Sequence, residues 1–189
     1  MSELRAAIGY ERRRQMQIRA AFEAGLALRT DPDLDLTDFF VACAAYIVFS
    51  MDRLHQQDQV IHDLLKERIS QENTMAHEQL DVLNDRQQQS RELVENFQMV
   101  AEELSLKGPD ALDVFEAAAI EFTRGFATLM APRKNPFQKY TDELFTDDDW
   151  QLIAAVSDES RSIEKNLYSV VQISSPGNID PEVMTVVYH

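Results

Sequence analysis

Asp52, His55, Asp58 and His62 follow one another at spacings of three, three and four residues in the stretch Met51–His62. On a helix, such spacings make neighbours along one face. Imidazole nitrogens and carboxylate oxygens together suit iron, manganese or zinc, so metal binding is the first chemistry to consider. Asp58 strengthens the case because it interrupts an apolar stripe, with Leu54, Ile61 and Leu65 around it. A carboxylate in such a place needs a cation, hydrogen bonds or a metal. The competing explanation is that Asp58 pairs with Arg53, Arg86 or another cation, while His55 and His62 only flank the stripe.

Positioning such a site takes more than one helix. If the first helix folds back on the second, Glu11 and Gln15 come roughly level with His55 and Met51. A third helix returning from a turn near Ser70 brings His77 level with His62. Glu11, His55, Asp58, His62 and His77 are therefore the candidate ligands, converging at one end of a bundle as inward side chains on facing helices do. His77 and Glu78 are adjacent and do not share a face. His189 is terminal.

The elements follow from periodicity and breakers. Leu4, Ile8, Ile18, Phe22 and Leu26 predict a helix from about Glu3 to Leu28, stopped by Thr30-Asp-Pro32. Thr37 or Asp35 can cap a second helix reaching about Arg68. After the polar turn Ser70–Thr74, a third runs to about Leu106 and stops at Gly108-Pro109. Its middle, Asn84–Glu92, is polar around the whole circumference, so it either crosses solvent or faces polar partners inside. A fourth helix spans about Asp110–Met130. Phe137–Phe145 can resume a helix, Thr146–Asp149 reads as a capping box before Trp150, and Ser157 caps a last helix reaching about Val171. The expected fold is all-α: an antiparallel up-down four-helix bundle with one or two extra short C-terminal helices. Residues 1–173 form one domain, with 174–189 an irregular tail.

Composition bounds the partners. The 189 residues hold 33 acidic and 18 basic side chains, a net charge of −15, which disfavours nucleic acid and anionic membrane surfaces. Cys43 is the only cysteine and sits in the apolar run Phe39–Met51, so no internal disulfide forms and a reducing cytoplasm is expected. That run is shorter than the roughly 20 residues of a membrane span. Arg12, Arg13 and Arg14 lead into an amphipathic segment rather than a signal peptide. No glycine-rich phosphate loop, Gly-x-Ser-x-Gly elbow or His-Glu-x-x-His occurs. Asp52-x-x-His55 matches half of the carboxylate-x-x-His pairs of di-iron bundles, without a second copy.

The run Arg53–Leu65 (RLHQQDQVIHDLL) resembles a helix of the bacterial hemerythrin-like, or HHE cation-binding, family. Asn135–Trp150 (NPFQKYTDELFTDDDW) is similar to the end of that domain, where a helix leads into a capped helix bearing threonine, acids and tryptophan. The likeness covers about residues 37–156. It implies a four-helix bundle that holds two non-haem irons through histidines and bridging carboxylates, for oxygen binding or sensing. This chain departs from that pattern: the first and fourth helices carry no histidine, the His-x-x-x-His pair is missing, and Lys139 stands where a ligand-bearing helix needs histidine. The resemblance then implies either a relative that kept only the bundle or one with a reduced mononuclear site.

Two functions are expected from these features. One is a cytoplasmic hemerythrin-like protein binding iron, or else zinc or manganese, for sensing, storage or oxygen handling. The other is a metal-free regulatory or adaptor protein acting through protein contacts, with a homodimer or protein partner engaged by the polar middle of the third helix (Gln87, Gln88, Gln89 and Arg91). An enzyme with a polar pocket for a small organic substrate is a third class.

Overall fold

Seven α-helices and no strand make up the described residues (3–29, 34–129 and 137–184) of the computed structural model. They are α1 (Glu3–Leu28), α2 (Thr37–Arg68), α3 (Thr74–Lys107), α4 (Leu112–Leu129), α5 (Gln138–Leu144), α6 (Asp147–Ala154) and α7 (Asp158–Ser174). The expected helix 4 boundary at Met130 and the connector Arg133–Asn135 lie outside the described residues, as does His189.

Local chemistry sets the boundaries. The Asp35 carboxylate accepts the Thr37 N–H at 2.9 Å, so the acceptor at the start of α2 comes from Asp35. Asn73 caps α3 by accepting the Ala76 N–H. Gly108 adopts a φ of 62°, which ends α3, and Pro109 opens a 3-10 turn over Gly108–Ala111. Consequently α4 starts at Leu112 rather than Asp110. Thr146 and Asp149 form the expected capping box, and Ser157 accepts the Ser160 N–H to start α7. That last helix runs past Val171 to Ser174.

α2 is the central element, with α1, α3 and α7 packed along it, α4 packed on α3, and α6 touching α1 and α2. The apolar stripes meet in two clusters. The larger is aromatic: Phe22 sets its edge against Phe40, Phe97 and Phe115, and Phe97 stacks on Phe122 with centroids 4.4 Å apart. Such ring pairs add about 0.5–1.5 kcal/mol each beyond their buried area. The smaller cluster gathers Leu65, Ile69, Ala76, Leu80 and Phe137.

Residues 175–184 are irregular and pack against the helices. Ile179 is buried in the larger cluster, and Gln17 donates to the Glu182 carbonyl at 2.6 Å. No helix among the described residues is long and apolar enough to cross a membrane. The run Phe39–Met51 is instead the aromatic core's main contribution from α2, and burial pushes the Cys43 thiol well above its ordinary pKa.

Candidate functional site

The polar residues that stood out in the sequence form a belt between the two apolar clusters. Residues 69–73 link α2 to α3 directly, so the two helices run antiparallel and their polar stretches face each other. The His55 Nε2 lies 2.9 Å from Ser90 Oγ, both buried, and Arg91 donates to Gln59 Oε1 at 3.1 Å. Gln87, one turn before Ser90, is buried as well. The middle of α3 thus faces polar partners inside the chain. Gln87 and Ser90 are not available to a partner, whereas Gln88 and Gln89 are exposed.

Along the side of α2 that faces α1, the belt continues into that helix. Arg12 pairs with Asp58, Arg53 pairs with Glu11, and Gln57 donates to Glu11 Oε2 at 3.1 Å. Gln15 donates to Met51 Sδ at 3.1 Å, which matches the expected register of the two helices. A third element enters that the sequence did not single out. Glu164 of α7 accepts from Tyr46 Oη at 3.0 Å and Arg53 Nη1 at 3.3 Å.

This arrangement separates the five candidate ligands. His55 is held by Ser90, Asp58 by Arg12, and Glu11 by Arg53 and Gln57. The His62 Nδ1 lies 3.2 Å from Asp63 Oδ1, and the His77 Nε2 lies 3.3 Å from the Ser70 carbonyl oxygen. Among the described residues, no group of three or more His, Cys, Asp or Glu side chains is placed to hold a metal ion. The reason is angular. Three residues along a helix leave two side chains about 60° apart, enough to send His55 towards α3 and Asp58 towards α1. The cation that meets Asp58 is Arg12, rather than the Arg53 or Arg86 named from the sequence. Burial, and secondarily Arg91, lowers the pKa of His55, so its imidazole is neutral at neutral pH.

One end of the belt opens into a cleft of about 700 Å³ between α2, α3 and α7. Val41, Ala44, Ala45 and Val48 of α2 form its floor. Val94 and Ala101 line the α3 side and Leu167 the α7 side. Asp52, His55, Arg91, Glu95 and Glu102 provide its polar border. The apolar surface continues outside the cleft. Ile163 and Val170 are exposed one turn to either side of Leu167 on the same face of α7.

Sequence periodicity did not reveal this cleft, because its apolar lining residues are ordinary members of amphipathic helices. No protein-family model matches the chain, and no curated protein or solved structure matches it either.

Proposed function

We propose that this chain is a metal-free helical adaptor or regulatory protein that works through contacts with another protein, docked in the α2/α3/α7 cleft. In this reading α1 to α4 form an antiparallel up-down four-helix arrangement. α7 lies outside it and leaves one face of α2 uncovered. The ring contacts of Phe22 on α1 with Phe115 on α4, and of Arg19 with Phe126, support closure of α1 onto α4.

The carrying observation is the cleft, with apolar side chains on three helices and an exposed Ala45 on its floor. Contiguous apolar surface of this kind, rimmed by polar groups, characterises interaction sites. Its continuation onto Ile163 and Val170 favours a partner larger than a small molecule. The hemerythrin-like, metal-binding alternative has against it the separate engagement of Glu11, His55, Asp58, His62 and His77.

Two measurements test the proposal. Elemental analysis of the purified protein should find no stoichiometric iron, zinc or manganese, in the wild type or in His55→Ala/His62→Ala. A near-stoichiometric metal that disappears in the double variant would overturn the proposal. An environment-sensitive naphthalene dye should bind the wild type and lose binding in Ala45→Trp, which fills the cleft from an exposed position. Dye binding that is indifferent to this substitution places the accessible apolar surface elsewhere.

A further inference from the structure

We infer that the occupant of the cleft is a basic amphipathic helix of a partner protein, an inference that rests on the docking function proposed above. The α2 lining runs from Val41 to His55, and its apolar part, Val41 to Phe49, is about 12 Å or just over two helical turns. α3 and α7 stand on either side of it, so an inserted helix would contact three helices at once. An apolar floor of this length is read by side chains at i, i+3, i+4 and i+7 of a docked helix.

Charge decides what flanks that stripe. Asp52, Glu95 and Glu102 stand exposed along the border of the cleft. Among the described residues, none of the three forms an ion pair with a cation. Asp52 accepts from Gln56 and Glu102 accepts from Gln98, both neutral donors on their own helices. Arg91, the one arginine or lysine lining the cleft among the described residues, is half-buried and turned to Gln59.

The antiparallel course of α2 and α3, pinned by His55 and Ser90, sets Asp52 level with the turn of α3 that carries Glu95. Glu102 follows two turns on, about 10 Å further along α3. A helix with lysines or arginines on its flank towards α2 and α3 would meet these carboxylates, whereas an acidic helix would be repelled. A second copy of this chain is a poor occupant, because its own net charge is −15.

The test uses the full chain and two labelled peptides of roughly 18 residues, with one leucine stripe and either lysine or glutamate flanks. Fluorescence anisotropy should show binding of the lysine peptide only, weakening as salt rises. Asp52→Lys/Glu95→Lys/Glu102→Lys, all at exposed positions, should weaken it about tenfold or more, and Ala45→Trp should abolish it. If the glutamate peptide binds as tightly and Ala45→Trp abolishes both, the docking function stands and the basic occupant is overturned. Binding of neither peptide, by protein with an unaltered melting curve, overturns both, even where the dye still enters the cleft. Lysine-peptide binding that ignores Ala45→Trp has the same consequence.

Discussion

The imidazole of His55 and the hydroxyl of Ser90 lie 2.9 Å apart, both buried, and tie α2 to α3 at the waist between the two apolar clusters. Removing the hydroxyl would strand a buried ring nitrogen. Ser90→Ala should therefore lower stability by about 1–2 kcal/mol, measured by urea denaturation near neutral pH.

The same histidine makes stability depend on pH. Its folded pKa is lowered from the ordinary 6.5 by burial first and by Arg91 second. The unfolded chain thus takes up the proton at a higher pH than the folded chain does. The contribution of His55 is complete above about pH 6.5 and is lost as the pH falls through the folded value. A His55→Gln variant should show a shallower decline than the wild type below that pH. An unchanged slope would show that the buried imidazole is not its source.

Arg68 and Asp149 connect the C-terminal end of α2 to the capping box of α6. The Arg68 guanidinium grips both Asp149 oxygens, while Thr146 Oγ1 and backbone N–H donate to Oδ2. Chiefly through Arg68, the Asp149 pKa is lowered to about 2. Asp149→Asn should cost about 2–3 kcal/mol, since it weakens an ion pair and a cap together. Because the folded pKa is depressed, this contribution is complete above the ordinary carboxylate value of 3.8 and fades as the pH falls through about 2. Denaturation curves of wild type and variant should accordingly converge in strong acid.

The two ion pairs between α1 and α2 should differ in weight. Arg53 is mostly buried and meets both Glu11 and Glu164. Arg53→Met would leave Glu11 without its cation and Glu164 with only Arg14, 3.7 Å away, and should cost about 2–3 kcal/mol. Arg12 is more exposed in its pair with Asp58, and Arg12→Met should cost less than about 1 kcal/mol. Thermal melts of both variants check the ranking; equal effects would contradict it.

Two glycines of α1 should respond in opposite senses to the same substitution. A Cβ at Gly25 would come within 2.5 Å of the Phe39 ring, which is fully buried and has no room to yield. Gly25→Ala should destabilise by about 1–3 kcal/mol despite the better helix propensity. At Gly9 nothing lies within 4 Å, so Gly9→Ala should stabilise by about 0.5–1 kcal/mol. Paired chemical denaturation of the two variants would settle both signs.

Much of the fold could be read from local patterns, because helix formation depends on residues close in sequence. The stripes Phe22/Leu26, Phe40/Ala44/Ile47 and Phe115/Ala119/Phe122 are helical signals that survive in any tertiary context. Asn73, Thr146 and Ser157 cap helices with atoms only a few residues away. The level at which α1 meets α2 was legible too, since short links leave little freedom of register. Gln15 against Met51 bears that out.

The fate of the conspicuous polar residues was not legible. Spacings of three and four place Asp52, His55, Asp58 and His62 near one another on α2, yet they do not say which neighbouring helix each one meets. That depends on a rotation of about 60° per three residues and on where α1, α3 and α7 lie around α2. The sequence by itself determined that the chain is helical, where most helices begin and end, and that a polar belt interrupts the apolar stripes. Only the tertiary structure decided that His55 meets Ser90 while Asp58 meets Arg12. It also decided that Glu164 joins the belt from α7, and that an acid-rimmed cleft lies open on α2. These relationships join residues far apart in sequence, and the directions in which helices pack set them.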